Sequence, residues 1–264
     1  MKTLIIIPAR YASSRFPGKP LKLIAGHSLI KRVYMLAAAV GGVEAVYVAT
    51  DDQRIKTHVE EFGGKAVMTP VGCRNGSERV YAALDCIPEK PDTVINFQGD
   101  SVLTPPVVLN ELVSCMKSFP EVEVATPAVR LSWDEYEKLL EAKKAQPTSG
   151  TLVVCNRNND ALYFSRALIP HIRNRSDTDK SPVCRHIGIY AYRLEALKRY
   201  LELEPGILEE LEGLEQLRLL EHAVPVRVVE VDCGGRTLYS IDTPEDVAIA
   251  EEIIKTEGEP VSLS

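Results

Sequence analysis

The stretch LIIIPARYASSRFPGK, residues 4–19, decides how this chain is read. Leu4, Ile5, Ile6 and Ile7 form a short unbroken apolar run, the pattern of a strand buried on both faces. The run stops at Pro8 and Arg10 and passes into a Pro-, Ser- and Gly-rich segment through Gly18. A helically periodic segment follows from Ser28 to Ala39, so the order is buried strand, long loop, helix. Four apolar residues are too few to cross a membrane or to serve as a signal peptide.

Outward from this start the alternation repeats. Ala45–Thr50 is β-rich, with Asp51 and Asp52 at its exit and a helical pattern from Arg54 to Phe62. A short strand is expected over Lys65–Met68, a helix from Ser77 to Cys86, and a central strand over Val94–Phe97 that ends in Gln98, Gly99 and Asp100. Strands alternating with helices at this spacing imply a mostly parallel α/β sheet covered by helices. Further on, Val122–Val129, Thr151–Cys155 and Ala161–Phe164 read as strands and Trp133–Ala145 as a charged helix anchored by its tryptophan. Arg173–Pro182 reads as a loop, His186–Tyr192 as one strand, Glu195–Leu203 as a helix, and Ile207–Leu220 as a second helix packed through Leu211, Leu214, Leu217 and Leu220. Strands over Val226–Val231 and Leu238–Ile241 and a final helix after Asp242 complete the pattern. Residues 1–264 form a single domain in this reading, with 120–233 as a smaller lobe or an elaboration of the main sheet.

Composition agrees with an ordinary globule: 264 residues, 45% hydrophobic, 26% charged, net charge −6. That excludes disorder and fibrous repeats, and it lacks the basic footprint of a nucleic-acid binder, while leaving room for a local anion site. The six cysteines are widely separated and include no C-x-x-C pair, so they are read as reduced, mostly buried thiols of a cytosolic protein.

Arg10, Arg15 and Lys19 lie within ten residues, in a loop that also carries Ser13 and Gly18. Ligands of open α/β sheets bind beyond the carboxyl ends of strands, so three cations there suit a polyphosphate; solvent-facing loop cations are the plainer alternative. Neither a Walker spacing nor G-x-G-x-x-G after a strand is present, against a P-loop hydrolase or a dinucleotide oxidoreductase. Asp100 and Asp242, each at an expected strand exit, have the chemistry to share one Mg²⁺ with phosphate oxygens. Asp242 also suits a helix start in Asp-Thr-Pro-Glu. His186 and Arg185 suit an acceptor carboxylate or an edge position, and Ser77 with Arg79 suit a nucleotide or an N-cap. The other histidines lack metal-ligand spacing, and no G-x-S-x-G elbow occurs.

Nine motifs then occur in order: Pro8-Ala9-Arg10, SSRFPGKPL (13–21), Ala49-Thr50-Asp51, GSER (76–79), QGD (98–100), LYFSR (162–166), RHIGIY (185–190), LEQLR (214–218) and DTPED (242–246). Together they resemble the CMP-Kdo synthetase family, the 3-deoxy-manno-octulosonate cytidylyltransferases, over almost the whole chain. The resemblance implies a nucleotide-diphospho-sugar transferase-like, Rossmann-like fold with an acceptor and dimerisation lobe. It implies a cytoplasmic homodimeric enzyme of lipopolysaccharide biosynthesis that moves CMP from CTP to a 2-keto sugar acid and releases pyrophosphate. Its partners are then CTP and a small acidic acceptor, without nucleic acid or membrane insertion. By the same resemblance Ala9, Arg10, Arg15, Lys19, Ser77 and Arg79 hold the nucleotide, and Asp100 and Asp242 hold Mg²⁺. Arg10, Lys19 and the two aspartates are the catalytic set. Gln98, Ser101, Thr151, Arg166, Arg185, His186, Tyr190, Glu215 and Gln216 line the acceptor side.

Two departures fall on that acceptor side. Ser101-Val102 stands where the family has Glu-Pro or Gln-Pro, and Thr151 of residues 147–151 stands where it has lysine. Kdo, its 8-amino analogue, another nonulosonic-type acid or a phosphonate are therefore the acceptors to weigh. A catalytically silent nucleotide-binding protein is the rival from another class, and retention of both aspartates argues against it.

Overall fold

In the computed structural model, which describes residues 1–13, 15–145, 150–175 and 178–263, β1 (Thr3–Ala9) lies at the heart of the sheet. Its unbroken apolar run serves two cores at once. Ile5 and Ile7 pack on one face and Leu4 and Ile6 on the other, as the two-residue period of a strand requires. A single 3-10 turn at Lys19–Leu21 and a short hairpin, β2 (Leu23–Ile24) with β3 (His27–Ser28), lead into α1 (Leu29–Ala38). The Ser28 side chain caps α1 by accepting from the Lys31 amide. Then come β4 (Ala45–Thr50), α2 (Gln53–Glu61), β5 (Ala66–Met68), α3 (Gly76–Ala83), β6 (Thr93–Asn96) and α4 (Pro106–Ser118). The second half holds β7 (Val124–Ser132), α5 (Trp133–Ala145), β8 (Leu152–Cys155), β9 (Ala161–Ser165), β10 (Lys180–His186) and β11 (Tyr190–Arg193). It closes with α6 (Leu194–Glu202), α7 (Ile207–Glu212), α8 (Leu217–Glu221), β12 (Arg227–Glu230) and α9 (Glu245–Glu257).

One sheet runs through both halves in the order β5-β4-β1-β6-β11-β7-β10-β8-β9, with β12 beside β7. The β5-β4-β1-β6 part is parallel. Beyond it β11 runs antiparallel to β6 and β7, and only β12 joins β7 in parallel. Because β1, β4 and β6 point the same way, the loops after Ala9, Thr50 and Asn96 all emerge at one edge, where an open α/β sheet binds its ligands. Helices α1, α2, α4 and α9 cover the Ile5 face, and α3, α6 and α8 cover the Leu4 face.

Several expected elements take another form. The strand expected over His186–Tyr192 is split into β10 and β11. At the break the Thr126 hydroxyl donates to the Ile189 carbonyl at 2.8 Å, doing the work that a strand ladder would do. The helix expected over Ile207–Leu220 divides into α7 and α8, because Gly213 adopts φ 63° and ends α7 in the left-handed conformation. Leu214 and Leu217 are buried as expected, but Leu211 is 78% exposed and packs nothing. No strand forms over Leu238–Ile241. Instead of joining a ladder, that segment meets the site through both backbone groups of Ile241, its amide donating to the Asp100 carbonyl at 3.1 Å and its carbonyl accepting from the Lys19 ammonium at 2.7 Å. The loop expected over Arg173–Pro182 gives way to β10 at Lys180; Ser176 and Asp177 lie outside the described residues, as do Ser14 and residues 147–149. Trp133 does anchor its helix: it is 7% exposed and its indole N–H donates to the Thr178 carbonyl at 2.7 Å.

All six cysteines are free thiols, fewer of them buried than expected: Cys184 and Cys233 are buried, Cys73, Cys115 and Cys155 partly so, and Cys86 is exposed. Among the described residues no helix is long and apolar enough to cross a membrane.

Candidate active site

A cleft of about 430 Å³ opens at the carboxyl ends of β1 and β6. One wall is the loop after β1, with Ala9, Arg10, Ser13, Arg15 and Lys19; the other is the entry to α3, from Cys73 to Gly76, with Arg79 behind it. Gln98, Gly99 and Asp100 form the floor, and Glu215 and Asp242 close the ends. Gly99 makes the floor possible. A Cβ there would stand 2.7 Å from the Pro8 carbonyl oxygen, so only glycine lets the exits of β1 and β6 come this close.

Lys19 joins the two aspartates. Its ammonium donates to Asp100 Oδ2 at 3.1 Å and to the Ile241 carbonyl at 2.7 Å, and lies 3.9 Å from Asp242 Oδ1. Arg15 donates to the same Asp242 oxygen at 3.0 Å. Two carboxylates far apart in sequence therefore converge on one cation, with side-chain exposures of 31% and 48%. The helix-start alternative for Asp242 is not what its side chain does. Pro244 holds the N-cap position of α9 with no side-chain cap, and Asp246 in the first turn reaches back to accept from the amides of Asp242 and Thr243 at 2.8 and 2.7 Å. Burial opposes its charge, but these bonds and the Tyr239 hydroxyl hold its carboxyl below the usual range.

On the other wall Asn75 is the N-cap of α3, accepting from the Glu78 amide at 2.9 Å, so neither Ser77 nor Arg79 caps. Ser77 is buried and accepts from the Asn96 amide side chain at 3.3 Å, behind the cleft surface. Arg79 lines the cleft with its guanidinium anchored at 2.7 Å to both Asp51 and Thr69, so the exit of β4 orients it. Cys73 and Arg74 also line the cleft and were not singled out by sequence. Their position just ahead of Asn-Gly-Ser at a helix start was the available signal.

The remaining expected residues divide. Gln98 and Glu215 face the cleft; Ser101, Thr151, Arg166, Arg185, His186, Tyr190 and Gln216 do not line it. Surrounding protein, reinforced by Glu209 and opposed by Arg218, raises the pKa of the Glu215 carboxyl although that group is open to cleft solvent, and the Tyr200 hydroxyl points at it from 3.5 Å. Arg166 spends its guanidinium on the Glu212 and Gly213 carbonyls at 2.7 and 3.2 Å. Arg185 pairs with Leu152 in the β10–β8 ladder, and just beyond it the Thr151 carbonyl accepts from the His186 amide at 2.9 Å. Ser101 and Gln216 are buried. His186 begins an aromatic ladder through Tyr190 and Tyr192 to Tyr200, with ring centres 5.6, 5.9 and 6.1 Å apart. Burial pushes the His186 imidazole down to about 3. His186 Nε2 and Thr126 Oγ1 share a hydrogen bond of 2.8 Å, and the same hydroxyl lies 2.8 Å from the Ile189 carbonyl and 3.3 Å from that of Ile187.

A cation-rich loop at the carboxyl edge of a parallel sheet, faced by paired carboxylates, marks an α/β protein built to receive a phosphate-bearing ligand. The cytidylyltransferase family model matches residues 4–227, and the chain belongs to that family. The chain is 48% identical over 262 residues to a 3-deoxy-manno-octulosonate cytidylyltransferase of Maricaulis maris, covering 99% of this chain and 100% of that one. It is 44% identical over 253 residues to an 8-amino-3,8-dideoxy-manno-octulosonate cytidylyltransferase of Shewanella pealeana, covering 95% and 98%. A solved CMP:2-keto-3-deoxy-manno-octonic acid synthetase in complex with CTP matches with TM-score 0.85 and 38% identity, over 97% of this chain and 100% of that chain.

Proposed function

We propose that this protein transfers CMP from CTP to the anomeric hydroxyl of 3-deoxy-manno-octulosonate, releasing pyrophosphate. The observation that carries the reading is the meeting of Asp100 and Asp242 on one ammonium inside a cleft rich in arginine. The names of the relatives and the CTP complex of the structural neighbour support the substrates.

Arg10, Arg15 and Lys19 receive the triphosphate, on a cleft wall that also carries Ser13. Arg79, oriented by Asp51 and Thr69, holds the nucleotide from the α3 wall, and Ser77 supports that wall from behind through Asn96. Asp100 and Asp242 fit a Mg²⁺ ion: two hard oxygen ligands already share a cation, and they stand open to a cleft that phosphate oxygens and water can enter. When bound, Mg²⁺ supplies Lewis-acid stabilisation of charge on the phosphoryl oxygens. The acceptor hydroxyl oxygen attacks the α-phosphorus in line as the bond from that phosphorus to the bridging β-phosphate oxygen breaks, its proton passes to cleft water, and the loop cations stabilise charge on departing pyrophosphate. Gln98 and Glu215 contact the acceptor. The other acceptor-side residues support that region from the sheet and from residues 120–233, which we read as the acceptor and dimer part of a cytoplasmic homodimer.

The 8-amino acid is the second acceptor to test, because a relative acting on it matches nearly the whole chain. Pyrophosphate release with CTP and Mg²⁺ is measured against Kdo, 8-amino-Kdo, sialic-type acids and phosphonates, with product mass recorded. CMP-Kdo formation is expected. Turnover with a different acid alone would assign Ser101 and Thr151 to changed specificity, and no turnover by a CTP-binding sample would refute the acceptor class.

A further inference from the structure

Arg10 and Arg15 ride on the loop after β1 and Lys19 on the single 3-10 turn that ends it; Arg15 and Lys19 are tied to Asp242 and Asp100 inside the cleft, and a second set of contacts holds the loop from outside it. The Tyr11 carbonyl accepts from the Gly18 amide at 2.9 Å, which closes the neck of the loop. Gly18 has φ +68°, and a Cβ built there would stand 3.0 Å from the Tyr11 ring. Ring and backbone are thus in contact across the neck. The guanidinium carbon of Arg54 lies 3.4 Å from the centre of the same ring. Arg54 is itself held by Asp52 through two bonds, Nε to Oδ1 at 2.9 Å and a terminal nitrogen to Oδ2 at 2.7 Å. Asp52 also caps α2 by accepting the Arg54 amide. None of Tyr11, Asp52 and Arg54 lines the cleft. Asp51, the preceding residue, orients Arg79 on the opposite wall, so the exit of β4 reaches both sides of the site.

We propose that Asp52, Arg54 and Tyr11 form a clamp of positioning residues that keeps the Arg10, Arg15 and Lys19 loop in its nucleotide-binding course. The inference rests on the cleft being the nucleotide site. Without the clamp the free loop spends time in other courses, and the apparent dissociation constant rises by the reciprocal of the fraction that keeps the binding course. Once CTP is bound, its phosphates grip the three cations and restore the course, so the chemical step is spared. The clamp therefore acts on nucleotide KM and not on kcat.

The test compares Tyr11→Leu, Arg54→Met, their combination, Tyr11→Phe and Asp52→Asn by steady-state kinetics and by calorimetric titration with CTP alone. Arg54→Met and Tyr11→Leu should raise KM and Kd for CTP roughly two- to fivefold, the scale of an exposed cation–π contact, with kcat unchanged. The double variant should be no worse than the poorer single. Tyr11→Phe keeps the ring and should match wild type. Asp52→Asn retains a helix-capping acceptor but loses the charge that holds the guanidinium, so it should fall between. Arg54 has a 60% exposed side chain, so its variant carries the test if Tyr11→Leu does not fold. Wild type that fails to bind CTP would refute the reading of the cleft. Wild type that binds CTP no better than Arg54→Met, or a loss confined to kcat, would overturn the clamp.

Discussion

Lys19 occupies the place where the two aspartates would hold a divalent ion, and this has a measurable consequence. Replacing it, Lys19→Gln, should let the nucleotide-free protein bind Mn²⁺ more tightly. Two unit charges 4 Å apart interact by about 1 kcal/mol in water and about 4 kcal/mol at an effective permittivity of 20. Asp100 and Asp242 are 31% and 48% exposed, which places the site toward the watery limit, while a divalent ion doubles the effect. A gain of about 2–4 kcal/mol follows, or roughly thirty- to several-hundredfold in affinity. With a nonreactive CTP analogue bound, Lys19 serves the phosphates and the gain should vanish. Arg10→Gln is the control: it changes the charge of the same cleft by the same amount, but among the described residues Arg10 pairs with neither carboxylate. Mn²⁺ titration followed by electron paramagnetic resonance gives the affinities. Equal affinities in wild type and Lys19→Gln, or an equal gain in Arg10→Gln, would refute the idea that Lys19 competes for the carboxylates.

Other consequences are simpler to check. Asp100→Asn should fold normally, with an unchanged melting curve, and lose nearly all CTP-dependent turnover; near-normal turnover at saturating Mg²⁺ would remove Asp100 from the catalytic set. Gly99→Ala places a methyl 2.7 Å from the Pro8 carbonyl oxygen, and because backbone must yield, a loss of about 1–3 kcal/mol in urea unfolding together with a raised CTP KM is expected. The depressed His186 pKa means that the unfolded chain binds a proton that the folded chain refuses between about pH 6.5 and about 3, so stability falls as pH drops through that window. His186→Gln should flatten the stability–pH slope there, as read from melts between pH 7 and 4; an unchanged slope would show that His186 protonates in the native state.

Much of the parallel half was legible because its signals are local. The four apolar residues after Thr3 could only be a strand covered on both faces, and the loop after β1 announced its cations within ten residues. Asp100 was legible from its place after Gly99 at the end of β6. The helix α4 has local signals of its own, Pro105-Pro106 at its start and Val108, Leu109, Leu112, Val113 and Met116 buried at helical spacing. The leucines from Ile207 to Leu220 suggested one helix because periodicity continues across Gly213, and periodicity does not register a left-handed turn. Leu238–Ile241 looked like a strand by composition, but no neighbour offers it a ladder. The acceptor-side residues were grouped by motif order, and the fold turns several of them toward carbonyls, rings or core instead of the cleft.

The sequence by itself determined the elements of the parallel half, the loop that carries the cations, and the resemblance that pointed to CTP chemistry. Those follow from residue periodicity, turn chemistry and motif order, all of which act over a few residues. Only the tertiary structure decided that Lys19 reaches Asp100, 81 residues away, and that Asp242 arrives beside them without a strand to carry it. It also decided that Asp51 and Asp52 look to opposite walls of one cleft. Such meetings depend on which strands are neighbours and on how closely their ends approach, and sheet order and backbone clearance are properties of the packed chain alone.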